Sequence, residues 1–379
     1  MIKVASIVGA RPQIVKAAAF SRAARGKYAD TLQEYIIHSG QHYDHNLSQI
    51  FFEEMGIPEA DLNLEVGSAS HGVQTAEMLK KFEAVFLQIN PDVVIVYGDT
   101  NSTLAAALAA AKMHIPVAHI EAGLRSFNKG MPEEINRITT DHCSTLLFVP
   151  TRTGIRNLLA EGFKEENQAP YSIDHPGIFH CGDIMYDNSL YFSSLAEEHS
   201  SILSQLKLTP ENFILASIHR DYNTDNPERL TGLLKALLNV AETDQVVFPV
   251  HPRTAKYLHA LNNETSANFF SHPQIIITKP LSFFDMIVLE KQCRLIMTDS
   301  GGVQKEAYFF HKPVLILRRE TEWREIVEQG CGIITDSVPE KIMAAFNRFN
   351  TDPPCSFPSL FGDGKAAEFM CKTILQSFA

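Results

Sequence analysis

No GxGxxG motif, no CxxC pair and no apolar run long enough to cross a bilayer occur in the 379 residues of the sequence. The missing glycine motif argues against a resident dinucleotide, so no cofactor is expected. Histidine, cysteine and carboxylate side chains nowhere recur at metal-ligand spacing, so no metal is expected either. The cysteines (Cys143, Cys181, Cys293, Cys331, Cys355 and Cys371) are scattered and read as reduced, mostly buried thiols. Met1-Ile2-Lys3-Val4 runs straight into a strand and lacks a signal-peptide pattern, so with no membrane span the expected location is the cytoplasm. Positive charge is short as well: 33 Lys and Arg against 44 Asp and Glu leave a formal net charge of −11. Nucleic acid and anionic membranes are therefore not expected partners, and any phosphate site has to be local. Low-complexity segments are absent.

What remains is a globular composition, 45% hydrophobic and 20% charged. The length suggests two domains of roughly 150–200 residues each. The most informative stretch is Arg294 to Arg319, RLIMTDSGGVQKEAYFFHKPVLILRR. Leu295–Thr298 and Val314–Leu317 have strand character, and Val303–Phe310 between them has helix character. Gly301 and Gly302 at the turn allow close backbone approach, and a helix start offers unpaired N–H groups and a positive dipole end. A phosphate or diphosphate suits that turn; two glycines also suit a tight turn with no ligand. Ser300, Lys305, Glu306, Arg318 and Arg319 gather near the same strand ends, where a glutamate suits ribose hydroxyls and arginines suit phosphate oxygens.

The amino-terminal half follows the same rhythm. Val4–Val8 leads through Gly9-Ala10-Arg11-Pro12-Gln13 into a helical pattern over 14–24 that carries Lys16. Tyr35–His38 ends in Ser39-Gly40-Gln41-His42, and Asn46–Met55 reads as helix. A long amphipathic helix runs roughly Val73–Ile89. Asp92–Tyr97, the turn Gly98-Asp99-Thr100-Asn101-Ser102, a small-residue helix and Pro116–Ile120 follow, ending in Glu121. Residues 92–120 thus echo residues 294–317 in pattern, which predicts two similar doubly wound α/β halves with their strand ends facing each other across a cleft. Pro132, Glu133 and Glu134 open a helix, with proline and carboxylates where a helix start favours them. Leu146–Val149 and Gly177–Cys181 are further strands. In the second half, Tyr186–Leu206 reads as one helix and Phe213–Ser217 as a strand leading to His219 and Arg220. Pro227–Val240 reads as helix, and Gln245–Val250 and Ile275–Thr278 as strands. Residues 350–364 suggest a hinge, and Lys365–Phe378 a last helix packing back on the first domain. The expected domains are 1–182 with 365–379, and 183–364.

Several groups in these turns can carry chemistry. Asp99, Glu121 and Glu133 lie after strands or at a helix start, with Arg11 and Lys16 near them in the topology. His219 can serve as an acid or as a phosphate ligand. Each also has a plain structural explanation: Asp99 can cap its helix, Glu133 can face the helix dipole, and Arg11 and Lys16 can be solvated cations.

The segments GARPQIVK (9–16), SGQHYD (39–44), YGDTNST (97–103), HIEAGLRSFNKGMPEEINR (119–137), HR (219–220), VHPR (250–253), TDSGGVQKEA (298–307), KPVLILR (312–318) and TEW (321–323) are specific as a set. Through them the chain resembles, essentially end to end, the non-hydrolysing UDP-N-acetylglucosamine 2-epimerases. The resemblance implies two Rossmann-like domains in a glycosyltransferase-B-like pair and a homodimer. It implies that UDP meets Ser300, Gly301, Gly302 and Glu306, with Arg11, His219 and Arg318 around the diphosphate. Lys16, Asp99, Glu121, Glu133 and His219 become the expected catalytic residues, and Gln41 and His42 the positions for a regulatory second UDP-sugar. Two segments depart from the family's usual GTRPE and HRREN. Ala10 and Gln13 are expected to alter the sugar pocket, and Asp221-Tyr222-Asn223 to remove an arginine and a glutamate that support nucleotide contacts. GARPQ, NTDNPERL (223–230) and TEW are similar to the branch acting on UDP-2,3-diacetamido-2,3-dideoxyglucuronate, whose carboxylate needs a cation such as Arg125, Lys129 or Arg319.

The implied chemistry fits the residue types. C2 of the sugar has no adjacent carbonyl, so its proton is hardly acidic. Expelling UDP from C1 while a base takes the C2 proton gives a 2-acetamidoglycal without redox, and re-addition after protonation on the other face inverts C2. A glycosyltransferase of the same architecture, a hydrolysing epimerase and a UDP-sugar-binding regulator are the rival readings.

Overall fold

The computed structural model describes residues 1–40, 56, 59–261 and 263–378, with only the backbone of Arg11 and His259. The helix expected at Asn46–Met55 lies outside the described residues. The chain forms two compact units: Met1–Asn188 with Ser359–Ala379, and Ser189–Pro358.

The first unit holds strands β1 (Ile2–Val8), β2 (Leu32–His38), β3 (Leu62–Asn63), β4 (Val93–Tyr97), β5 (Val117–Ile120), β6 (Leu146–Val149) and β7 (Gly177–His180). They form one parallel sheet in the order β3-β2-β1-β4-β5-β6-β7. The second unit holds β8 (Phe213–Ser217), β9 (Gln245–Pro249), β10 (Ile275–Thr278), β11 (Leu295–Thr298), β12 (Val314–Ile316) and β13 (Gly332–Ile334). Their order is β10-β9-β8-β11-β12-β13, again all parallel. Both orders reverse between the first and fourth strand, β1 and β4 in one sheet and β8 and β11 in the other. Ligands of doubly wound sheets bind outside the carboxyl ends at that reversal. The two echoing stretches of sequence fold as β4-helix-β5 and β11-helix-β12, the same positions in the two sheets.

The central strands are continuous apolar runs because helices cover both of their faces. Val93 through Tyr97 are all buried, as are Leu295 through Thr298. Small residues of the Asn101–Lys112 helix pack tightly on the first sheet (Ala105, Ala106, Ala109 and Ala110). Leu230, Leu233, Leu234 and Leu237, at helical spacing, do the same on the second.

The single helix expected over Tyr186–Leu206 is two, Ile184–His199 and Ile202–Gln205. Ser200 breaks it: its hydroxyl donates to Asp285 at 2.6 Å and accepts from the Ile202 N–H at 3.2 Å. The carboxyl-terminal helix, Ala366–Phe378, packs on the Arg11–Arg25 helix of the first unit. Asp187 anchors its start by accepting from the Ala366 and Ala367 N–H groups at 3.1 and 2.8 Å. Burial pushes that carboxyl up to about 6.

Candidate active site

The turns after β1, β4 and β5 at the carboxyl edge of the first sheet carry the polar groups. After β1, Gln13 is buried and uses both ends of its amide. Its oxygen accepts from the Gly9 and Ala10 N–H groups at 2.9 and 3.1 Å; its nitrogen donates to the Tyr97 carbonyl and Thr103 hydroxyl at 2.8 and 2.9 Å. This corrects the expectation that Gln13 shapes a sugar pocket: it ties the β1 turn to the end of β4. A carboxylate there has no hydrogen for the Tyr97 carbonyl. Gln13→Glu is therefore expected to lower unfolding free energy by about 1–3 kcal/mol, the cost of an unmade buried hydrogen bond. Urea unfolding reads this, and an unchanged midpoint would contradict the assignment.

One turn further along that helix, Lys16 forms an ion pair with Glu121, which follows β5. A Cβ on Gly98 would stand 3.2 Å from the Lys16 Nζ and 3.3 Å from the Glu121 Oε2, so the pair lies directly against the β4 turn. Gly98 has φ +62°, where glycine is at ease. Glu121 itself has φ +77°, a conformation unusual for a residue with a Cβ and one that concentrates at functional sites. Asp99, next to Gly98, pairs with Arg137 from the Pro132–His142 helix. Thr100, rather than Asp99, caps the Asn101–Lys112 helix, through its hydroxyl and the Thr103 N–H. The structure thus brings Lys16, Glu121 and Asp99 together.

Glu133 is exposed on the first turn of its helix, and its neighbour Glu134 is buried. Glu134 accepts from the Ser126 N–H (2.8 Å), the Ser126 hydroxyl (2.9 Å), the Phe127 N–H (2.9 Å) and Arg137 (3.0 Å). Burial alone would raise its carboxyl, but these donors hold it below its ordinary value. Arg137 is likewise penalised by burial, yet Asp99, Glu134 and Glu121 keep its pKa above the ordinary one. Arg137 and Glu134 lie inside a segment already singled out by resemblance. Their roles were missed because spacing alone does not say which of two adjacent carboxylates turns inward.

Arg125 is not an available cation, contrary to expectation. Its guanidinium is buried against Asp141 at 2.8 Å and donates twice to Glu161, each at 2.7 Å. Lys129 and Arg319 remain exposed, Arg319 with its Nε 3.3 Å from Asp336. Behind the β4 and β5 turns, the buried His119 ring bridges Asp141 at 2.7 Å and the Gly98 carbonyl at 2.8 Å. Asp141 was not anticipated by any motif.

In the second unit, Asp299 follows β11, is fully buried, and is the hub of its sheet's switch point. It accepts from the His219 N–H (3.0 and 3.2 Å), the Arg220 N–H (3.0 Å) and the Asn223 amide (3.0 Å). The turn after β8 is thereby fixed to the turn after β11. Burial lowers the His219 imidazole, and His251, 5.4 Å away ring to ring, adds to the shift while Asp299 opposes it. Ser300 caps the Gly301–Phe309 helix by accepting from the Val303 N–H at 3.4 Å. A Cβ on Gly301 would lie 3.6 Å from Glu322 and 3.8 Å from Arg318; one on Gly302 would lie 4.0 Å from Glu306. Ser300, Gly301, Gly302, Glu306 and Arg318 are therefore brought together, with His219 on the neighbouring turn. Arg318 holds Glu322 in a bidentate pair at 2.9 and 3.0 Å. Lys305 is buried, its ammonium 4.4 Å from the centre of the Trp323 ring. Glu290, a buried carboxyl the sequence did not flag, is pushed well above its ordinary value by burial and then by Glu306.

Tyr222 and Asn223, read as departures, are integrated in the structure. Asn223 links Asp299 to the Leu317 carbonyl, and the Tyr222 ring lies 4.1 Å beneath the Arg229 guanidinium with its hydroxyl 3.1 Å from Asp336. The Arg11 side chain and the regulatory candidates Gln41 and His42 lie outside the described residues. Among the described residues no three His, Cys, Asp or Glu side chains are grouped to hold a metal ion, and no helix is long and apolar enough to cross a membrane.

The sequence model described as UDP-N-acetylglucosamine 2-epimerase matches residues 25–375. The chain is 44% identical to a UDP-N-acetylglucosamine 2-epimerase homolog of Methanococcus maripaludis, covering 97% of each chain. It is 42% identical to the UDP-2,3-diacetamido-2,3-dideoxy-D-glucuronate 2-epimerase of Pseudomonas aeruginosa, covering 98% of this chain and all of that one. The crystal structure of Methanocaldococcus jannaschii UDP-GlcNAc 2-epimerase in complex with UDP-GlcNAc and UDP superposes with a TM-score of 0.82. It is 38% identical, over 99% of this chain and 100% of that one.

Proposed function

The chain belongs to the UDP-N-acetylglucosamine 2-epimerase family, and we propose that it inverts C2 of a UDP-2-acetamido sugar, UDP-N-acetylglucosamine first among the candidates. The observation that carries this is a pair of carboxylates, Asp99 and Glu121, each ion-paired with a cation at adjacent strand ends of the first sheet. Together with Glu133 they supply proton-handling groups for two faces of one carbon. Lys16 holds Glu121 in place. In the second unit the Gly301–Gly302 helix start, Ser300, Glu306, Arg318 and His219 take the UDP. His219, whose cationic form burial disfavours, donates a hydrogen bond to the leaving diphosphate. Departure of UDP breaks the C1–O bond as the C2 proton leaves, giving a neutral glycal; protonation on the opposite face and return of UDP complete the inversion. The active form is a homodimer in the cytoplasm, the first part of which light scattering reads.

A second reading, UDP-2,3-diacetamido-2,3-dideoxyglucuronate as substrate, is favoured by the 42% identity to the Pseudomonas aeruginosa relative over its whole length. It needs a cation for the sugar carboxylate, and with Arg125 engaged, Lys129 and Arg319 are the ones left. Offering both sugars in one NMR time course ranks them; turnover of the uronate alone would put it first.

The reaction in D₂O tests the mechanism. The C2 hydrogen exchanges with solvent before return, so product should carry deuterium at C2 and deuterium should appear in recovered substrate. Full retention of hydrogen in an inverted product would end the elimination reading.

A further inference from the structure

We infer that Asp141 and His119 are positioning residues that fix the turns bearing Asp99 and Glu121 relative to each other, with the buried His119 ring carrying a proton on both nitrogens. The inference rests on the reaction proposed above for the roles of Asp99 and Glu121, and on hydrogen-bond geometry for the rest.

His119 and Asp141 are both fully buried. The His119 Nε2 is 2.8 Å from the Gly98 carbonyl oxygen, which can only accept. Its Nδ1 is 2.7 Å from Asp141 Oδ1. Oδ2 of the same carboxyl accepts from the Gly123 N–H at 3.1 Å and lies 2.8 Å from the Arg125 guanidinium. A carboxyl flanked by a guanidinium is far less basic than an imidazole, so the proton between Oδ1 and Nδ1 belongs on the ring. Burial alone would raise the Asp141 carboxyl; His119 and Arg125 hold it below its ordinary value. With His119 as the cation, the cluster of His119, Asp141, Arg125 and Glu161 has two positive and two negative members and closes without residual charge.

The geometry then has a consequence for the two acids. Through His119, Asp141 grips the carbonyl of Gly98, the residue before Asp99. Through Oδ2 it grips the N–H of Gly123, two residues after Glu121. Glycine is required there: Gly123 has φ +78°, and a Cβ on it would come within 2.5 Å of the Gly154 carbonyl oxygen. One buried carboxylate thus sets the spacing of two adjacent strand-end turns, one of which holds Glu121 at an unfavourable φ of +77°. Arg137, one turn before Asp141 on the same face of the Pro132–His142 helix, touches Asp99 directly, whereas Asp141 reaches the Gly98 carbonyl through His119.

The test is nitrogen-15 NMR of histidine-labelled protein with kinetics of Asp141→Asn. In the parent chain the His119 signals, assigned by their loss in His119→Gln, should show both ring nitrogens protonated at neutral pH. In Asp141→Asn one nitrogen should lose its proton and kcat should fall about 10–10²-fold, with KM and UDP affinity little changed, as for a small misplacement of reacting groups. If Asp141→Asn does not fold, His119→Gln supplies the kinetic arm, because its amide can donate to the Gly98 carbonyl or to Asp141 but not to both; the same fall in kcat is expected. A bare nitrogen on the parent His119, or a folded variant with parental kcat, overturns the inference. Failure of the parent chain to epimerise any UDP-sugar would refute the proposed reaction instead, since the histidine spectrum needs no substrate.

Discussion

Asp99→Asn and Glu121→Gln should each lower turnover by about 10²–10⁴-fold, the range for loss of a positioned acid or base. Both amides keep the shape of the parent side chain, and their carbonyl oxygens can still accept from Arg137 and Lys16, so neither should disturb the fold much. Affinity for UDP, measured by calorimetry, should stay within about threefold, because the residues assigned to the nucleotide lie in the second unit, apart from Arg11, and are untouched. Deuterium incorporation adds detail. If the two carboxylates serve opposite faces of C2, one amide variant should still wash deuterium into recovered substrate while making no product. The double variant should be little worse than the poorer single, since removing one proton carrier already interrupts the cycle. Turnover within about threefold of the parent enzyme in both single variants would remove Asp99 and Glu121 from the chemistry.

The sheets were legible in the sequence because their central strands are buried on both faces. Val93–Tyr97 and Leu295–Thr298 leave little else to read, and the turns after them carry Gly98-Asp99 and Asp299-Ser300-Gly301-Gly302. The echo between the halves was legible for the same reason and reports a strand order shared over six strands. β13 is three residues long and contains a glycine, too little for any period to register. At the site, Asp99 and Glu121 were singled out because each follows a buried strand, and Lys16 because it lies one turn into the helix after the first strand. Partners across the fold could not. Arg125 looked like a cation for a ligand because its sequence neighbours gave no sign of Asp141 and Glu161, which reach it from other elements. Gln13 looked like a pocket residue because it departs from the family's usual glutamate, whereas its four hydrogen bonds depend on how β1 lies beside β4.

Asp299→Ala should be among the most damaging single substitutions in the second unit. The side chain is fully buried and accepts from two backbone N–H groups of the β8 turn and from the Asn223 amide. Truncation leaves those donors facing a cavity that the rigid strand ends cannot close. Hydrogen bonds to a charged acceptor contribute about 1.5–3 kcal/mol each, but water entering the cavity will satisfy part of the loss. A fall of about 3–5 kcal/mol in unfolding free energy is therefore expected, within reach of the whole stability of an ordinary domain. The functional effect should exceed what unfolding alone explains. His219 and Arg220 are held by their own N–H groups to this carboxylate, so losing it lets the β8 turn drift away from Ser300 and the glycine turn. UDP affinity measured on the folded fraction, well below the new thermal midpoint, should drop by at least about tenfold. Asp299→Asn offers a graded comparison: its oxygen can still accept from one N–H, while its NH₂ now meets donors, so an intermediate loss is expected. Parental UDP affinity in a folded Asp299→Ala chain would mean that the β8 turn keeps its place without this carboxylate, and that the switch point of the second sheet is organised by Asn223 and the Leu317 carbonyl instead.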